Sequence, residues 1–174
     1  MRCAAPLAAL LLALGSTALG GCGLQPLYAS GRANPVAGEL AQVRVAAIPG
    51  RGGWLVRNAL NDRLSFTRGG AAIDEGSARY RLDVRLDDQL QGLGLLSDDT
   101  TGRERRTLRA RYQLVDLATG AIVIDATDGT DAGIDVVSSE YATIAAEERA
   151  LENLAQDLAQ RIVTRLSLRL RAQP

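Results

Sequence analysis

The chain has 174 residues, with 20 arginines, 20 acidic residues, no lysine and no histidine. The formal net charge is zero, so nothing in the charge balance points to nucleic acid as a partner. The absence of histidine and lysine excludes a Ser-His-Asp triad and a P-loop, and removes the commonest zinc ligand. We find no catalytic residues, no metal-binding set and no cofactor motif, and we therefore expect a protein that is not an enzyme.

The first 21 residues have the three parts of a secretory signal peptide. Arg2 supplies a positive start, an apolar stretch runs from Ala4 to Ala18, and small residues lead to Cys22. The apolar stretch is shorter than the roughly 20 residues that a helix needs to cross a bilayer. We predict cleavage before Cys22 and acylation of its thiol; an ordinary signal peptide or a short membrane anchor would share parts of this pattern.

Cys22 would be the only cysteine left after cleavage, because Cys3 lies in the removed segment. An unpaired cysteine in an exported protein needs an explanation, and acylation supplies one. The two or three acyl chains of a lipoprotein anchor it stably at a membrane surface. We expect a signal peptide at 1–21, the lipidated cysteine with an irregular linker at 22–40, and one domain at 41–172.

Two elements are predicted at the start of the domain. The stretch from Val43 to Ile48 predicts a short strand, which Pro49-Gly50 ends. A helical pattern then runs from Trp54 to about Phe66 and places its apolar residues on one face.

Three further strands follow, each with a period of two. Charged and apolar residues alternate without an exception from Arg79 to Asp87, so one face is apolar and the other is charged. A polar loop is expected at roughly 92–102. The alternation returns at Thr107–Leu114, passes a hairpin turn at Asp116–Gly120, and continues on a fourth strand with the apolar residues Ile122, Ile124 and Ala126.

The last third predicts a long amphipathic helix. Ser138 or Ser139 can cap it, and apolar residues recur at spacings of three and four from Tyr141 to Leu170. The element order is therefore β-α-β-β-β-α. Apolar faces on the sheet and on both helices predict an α+β fold in which two helices pack on one face of a four-stranded, mainly antiparallel sheet.

The residues from Cys22 to Tyr28, Cys-Gly-Leu-Gln-Pro-Leu-Tyr, resemble the start of alphaproteobacterial LptE proteins, the lipopolysaccharide-assembly lipoproteins. Leu24 stands where that family usually has phenylalanine. The segments Arg51–Leu64 and Ser139–Leu166 are also similar to the family's helices, and the predicted element order is the family's fold. The resemblance covers the whole mature chain.

The resemblance implies a non-enzymatic outer-membrane lipoprotein that needs no cofactor. LptE proteins plug the barrel protein LptD, help it to assemble and contact lipopolysaccharide. The charged sheet face would then contact the barrel through five arginines: Arg79, Arg81, Arg85, Arg109 and Arg111. The dense basic cluster of Arg103, Arg105 and Arg106 would contact the phosphates of lipopolysaccharide.

Simpler interpretations of both regions remain open. The charged face could be a solvated surface held by cross-strand Arg–Asp pairs. The basic cluster, expected in or beside the loop before the third strand, could be a soluble loop edge that protects an exposed strand end. The chain could equally be a small periplasm-facing lipoprotein that tethers or binds another envelope protein.

Overall fold

The computed structural model describes residues 35–73, 76–95 and 101–172. In this part of the chain the elements are α1 (Pro35–Ala41), β1 (Val43–Val45), α2 (Gly50–Thr67), β2 (Tyr80–Leu95), β3 (Thr101–Asp116), β4 (Ile122–Asp135) and α3 (Glu140–Arg171). The predicted α+β class is confirmed, with one additional short helix before β1. None of the helices described here is both long and apolar enough to span a membrane.

The four strands form one mixed sheet in the order β1-β2-β3-β4. β1 pairs with β2 in parallel, and β2, β3 and β4 form an antiparallel meander. The long pairing register places Leu82 opposite Leu114, and Leu114 opposite Ile124. Apolar residues of all three long strands therefore line up on the same face of the sheet.

The hydrophobic core lies between this face and the helices. Six residues from the apolar alternation of the strands and the apolar spacing of the last helix are all buried in it: Leu82, Val84, Tyr112, Ile124, Leu158 and Ile162. α2 and α3 pack on each other and on the strands, and α3 also contacts α1. The opposite face of the sheet has no helix in the described part of the chain.

The segment before β1 differs from its prediction. An irregular linker was expected through residue 40, but residues 35–41 form α1 and bury Val36 and Leu40 in the core. These two residues are four positions apart, so they share one face of a helix. Two apolar residues are too few to give a recognisable period, and Pro35 is tolerated because it is the first helical residue.

α2 begins four residues earlier than predicted. Glycines usually weaken a helix, so Gly50, Gly52 and Gly53 were assigned to the preceding loop. In the structure Gly53 is buried, and a Cβ atom there would lie 2.6 Å from the carbonyl oxygen of Ile48. The glycine allows the first turn of α2 to pack directly on the chain that leaves β1.

β2 and β3 are also longer than predicted. The expected loop at 92–102 is reduced, because β2 continues to Leu95 and β3 starts at Thr101. Alternation is hard to see in this part because residues 87–92 are all exposed. Strand positions that no helix covers do not need apolar side chains, so hydrophobic periodicity could not reveal them.

The turn between β3 and β4 was predicted more accurately than the start of α3. The turn after Asp116 is confirmed: its Oδ1 accepts hydrogen bonds from the backbone N–H groups of Ala118 and Thr119, at 2.8 and 3.2 Å. Ser139 is the N-cap residue of α3, as expected, but its hydroxyl makes no capping hydrogen bond. Tyr141 and Ile144, which were assigned to the buried stripe, are 87% and 48% exposed. Burial on α3 begins at Ala150.

Candidate partner-contact face

The open face of the sheet carries both signs of charge in nearly equal number. Strand alternation places six arginines and five aspartates of β2, β3 and β4 on it: Arg81, Asp83, Arg85, Asp87, Arg103, Arg105, Arg109, Arg111, Asp125, Asp131 and Asp135. All the acidic residues that β4 contributes are aspartates, and β4 has no basic residue. The face is a mosaic of charges, and it is less basic than its arginine count suggests.

Most of these arginines are neutralised by a neighbour. Three ion pairs join β3 to β4: Arg103–Asp135 at 3.1 Å, Arg105–Asp131 at 3.8 Å and Arg111–Asp125 at 3.0 Å. Arg81 pairs with Asp83 along β2 at 3.0 Å. These are exposed pairs, which contribute only about 0–1 kcal/mol each to stability.

In one of these ion pairs, Arg111–Asp125, the pKa of both partners is shifted. Asp125 accepts hydrogen bonds from Arg111 and from Gln113, and these hold the pKa of its carboxyl below the usual value. The same hydrogen bond raises the pKa of Arg111. Both groups therefore stay charged across the physiological range.

Arg79 serves the fold as well as the surface. Its guanidinium pairs with Glu39 of α1 at 3.2 Å and lies 3.6 Å from Asp116 at the end of β3. It also lies over the ring of Tyr80, 4.9 Å from the centroid. Arg79 thus connects α1, β2 and β3, and its charge is already satisfied within the chain.

Arg85 and Arg109 differ from the other arginines of this face. Both are exposed, and neither forms a hydrogen bond or an ion pair with any residue that the structure describes. Arg85 lies directly opposite Arg111, a like charge. Arg109 lies between Gly129, which has no side chain, and Asp87, whose carboxylate accepts hydrogen bonds from Gln89 and forms no ion pair with Arg109. Of the five arginines predicted to contact a barrel, these two can still donate all of their guanidinium hydrogen bonds to a partner.

Each unpaired arginine lines a recess in the open face. The recess beside Arg109 has a volume of about 460 Å³ and includes Thr107, Thr127 and Asp131. The recess beside Arg85 measures about 420 Å³ and lies where β1 has ended, next to Ala46, Asp83 and Arg111. Both recesses exist because a neighbouring strand supplies either no side chain or no backbone at that position.

The predicted basic cluster is divided by the sheet. Arg103 and Arg105 point to the open face, whereas Arg106 lies on the helix-covered face with only 17% of its side chain exposed. Arg106 donates to both carboxylate oxygens of Asp88, at 2.9 and 2.7 Å, and to the carbonyl oxygen of Glu147 at 3.2 Å. The cluster was expected in or beside a loop, but it lies within β3.

Sequence reasoning missed a polar network beneath α3. The hydroxyl of Tyr112 donates to Asp128 at 2.6 Å, and Arg165 of α3 donates to the other oxygen of the same carboxylate at 2.7 Å. Asp128 is on the covered face, with 13% of its side chain exposed. Burial and the hydrogen bond to Asp128 raise the pKa of Tyr112. The sequence does contain a signal for this network: Asp128 stands at a position of β4 where the alternation predicts an apolar residue.

A lipopolysaccharide-assembly family model, LptE, matches residues 40–166. The chain belongs to the LptE family. Membership gives it a role in lipopolysaccharide assembly, as one of a group of non-enzymatic envelope lipoproteins. Cys22, the predicted lipidation site, lies outside the described residues. In those residues no group of three or more acidic or cysteine side chains is placed to bind a metal ion.

Solved structures agree with this assignment. The chain is 26% identical to a protein from Caulobacter crescentus CB15 described as a lipoprotein, with a TM-score of 0.66 over 82% of this chain and 100% of that one. A minor lipoprotein from Acinetobacter baumannii is 20% identical, with a TM-score of 0.59 over 77% and 98% of the two chains. The second likeness shows the fold alone. No curated protein matches the chain.

Proposed function

We propose that this chain is an outer-membrane lipoprotein, anchored through acylated Cys22, that plugs an LptD-like barrel and helps it to assemble. The match to the LptE family model over residues 40–166 is the observation that carries this proposal. The chain would contact lipopolysaccharide during transport to the cell surface. Its domain would face the periplasm or the barrel lumen.

The two faces of the sheet support a role as a plug. The covered face is closed by α2 and α3 and makes the domain a stable unit. The open face presents paired charges and recesses, and the lumen of a transmembrane barrel is polar. Such a surface can meet a polar wall without exposing apolar residues to it.

Contact with lipopolysaccharide is proposed for Arg103 and Arg105. Their side chains are 65% and 54% exposed, and arginine binds phosphate through two parallel hydrogen bonds. We assign Arg106 a different role, because Asp88 and the carbonyl of Glu147 already occupy its guanidinium. Arg106 ties β2 and β3 to α3.

Affinity purification of the full-length protein from detergent-solubilised membranes tests the proposal. We expect a large β-barrel protein to be recovered in equal amount, together with lipopolysaccharide. A Cys22→Ala variant should be released from the membrane or remain uncleaved, since its anchor is lost. Recovery of the membrane-bound protein without any barrel would contradict the plug assignment and would favour the tether alternative.

The lipopolysaccharide contact has its own readout in the same preparation. An Arg103→Ser/Arg105→Ser variant should recover the barrel normally but carry less lipopolysaccharide, with the deficit depending on salt because exposed charges are screened. An unchanged lipopolysaccharide content at low ionic strength would remove these two residues from the contact.

A further inference from the structure

The unpaired charges of the open face constrain what can cover it. Arg81, Arg103, Arg105 and Arg111 each have an aspartate within 4 Å, so they can enter an interface as neutral pairs. Arg85 and Arg109 form no such pair with any described residue: Asp87, which lies opposite Arg109 on β2, accepts hydrogen bonds from Gln89 instead. A buried, unpaired charge is strongly unfavourable, and arginine does not escape by losing its proton.

A partner that covers this face must therefore supply acceptors at two positions. Both positions are recesses of about 420 and 460 Å³, open to the surface. A recess of this kind admits a side chain from the partner, and a guanidinium binds a carboxylate through two parallel hydrogen bonds. Thr107 and Thr127 line the recess at Arg109 and offer hydroxyl donors to the same group.

The surrounding charges favour protein carboxylates over a polyanion. Asp131 lies in the recess of Arg109, and Asp83 lies in the recess of Arg85. A multiply charged phosphate in either recess would be repelled by these carboxylates more strongly than a single partner carboxylate would be. A protein wall carrying single acids among other polar residues can match the mosaic, because it can also place donors opposite the aspartates.

We infer that Arg85 and Arg109 are the specificity-determining contacts of the open face and that each receives an aspartate or glutamate side chain from the wall of the partner barrel. This inference rests on the proposed function and adds to it the chemistry of the partner surface. Of the paired arginines, Arg81 and Arg111 contribute shape and hydration to the same interface, and Arg103 and Arg105 keep their proposed contact with lipopolysaccharide. None of these four selects the partner.

The test compares two double variants of the full-length protein that change equally many side chains. Arg85→Gln/Arg109→Gln removes the two unpaired charges, and Arg51→Gln/Glu148→Gln removes one exposed neutral pair between α2 and α3, away from the open face. We expect the first variant to lower recovery of the barrel roughly tenfold or more, since it leaves buried carboxylates of the partner unmatched. The second should change recovery less than about twofold. Both variants should keep the wild-type melting temperature.

Arginine geometry provides a further discriminating variant. Arg85→Lys/Arg109→Lys keeps both charges but loses the bidentate geometry, and it should restore part of the recovery. Equal recovery of the barrel with both double variants would overturn the inference while leaving the proposed function in place. Loss of lipopolysaccharide with normal barrel recovery in Arg85→Gln/Arg109→Gln would also overturn it, in favour of a phosphate ligand. Failure of the wild-type protein to recover any barrel would overturn the proposed function itself.

Discussion

The same three strands build two surfaces of opposite character. On the covered face, Leu82 and Leu114 are fully buried, and even the polar Asp128 is held by two hydrogen bonds. On the open face, the neighbouring residues form exposed ion pairs or remain unpaired. Burial fixes the first surface, and its residues are determined by stability. The second contributes little to stability, so its residues are free to serve recognition.

Removing a large apolar side chain from the covered face should have the greatest effect. Leu158 of α3 is fully buried, and Leu158→Ala should lower the free energy of unfolding by about 2–5 kcal/mol because a cavity replaces packed atoms. Urea denaturation measures the difference. Leu168→Ala on the same helix is the matched control: Leu168 is 57% exposed, and its loss should cost less than about 0.5 kcal/mol. Similar costs for the two variants would show that α3 packs through another face.

Neighbouring arginines on opposite faces should respond differently. Arg106→Ser should destabilise the protein by about 1–3 kcal/mol, since it leaves the partly buried Asp88 without its partner and removes the contact with the Glu147 carbonyl of α3. Arg105→Ser, one residue away on the open face, should cost less than about 0.5 kcal/mol. Chemical denaturation of both variants checks this contrast. If Arg106→Ser unfolded at the same denaturant concentration as the wild type, the contact of Arg106 with α3 would not contribute to stability.

The smallest effect concerns the network at Tyr112 and is visible in alkali. The folded state raises the pKa of Tyr112, so the stabilisation from its neutral hydroxyl is complete below the unfolded pKa of about 10 and is lost as pH rises further. Tyr112→Phe should cost about 1 kcal/mol at neutral pH. Between pH 10 and 11 the stability of the Tyr112→Phe variant should fall less steeply than that of the wild type. Parallel pH profiles for the two proteins would exclude this tyrosine as the source of the alkaline dependence.

Sequence patterns predicted the parts of the fold that burial determines. The alternation from Arg79 to Asp87 and the apolar spacing of α3 from Leu151 onward both correspond to buried faces. They failed where burial is absent or unusual. Residues 87–92 of β2 are all exposed, and the start of α2 depends on the contact of Gly53 with Ile48.

The sequence predicted which arginines lie on the candidate face, but not whether each of them is paired. Periodicity placed Arg81, Arg85, Arg109 and Arg111 on one face, as observed. It could not distinguish paired from unpaired arginines, because pairing depends on cross-strand register and on side-chain conformation: Asp87 lies opposite Arg109 but accepts hydrogen bonds from Gln89. Periodicity also could not show that Arg106 lies on the face opposite to Arg103 and Arg105, since the strand was expected to begin after all three.

The composition of β4 has a consequence for the protein before it meets any partner. β4 is the outer strand of the sheet, and its free edge could pair with the same edge of a second molecule. Its charged side chains are Asp125, Asp128, Asp131 and Asp135, with no basic residue among them. Two such strands brought edge to edge would place carboxylates beside carboxylates, which destabilises strand pairing. Pairing of this edge with the same edge of a second copy is therefore disfavoured.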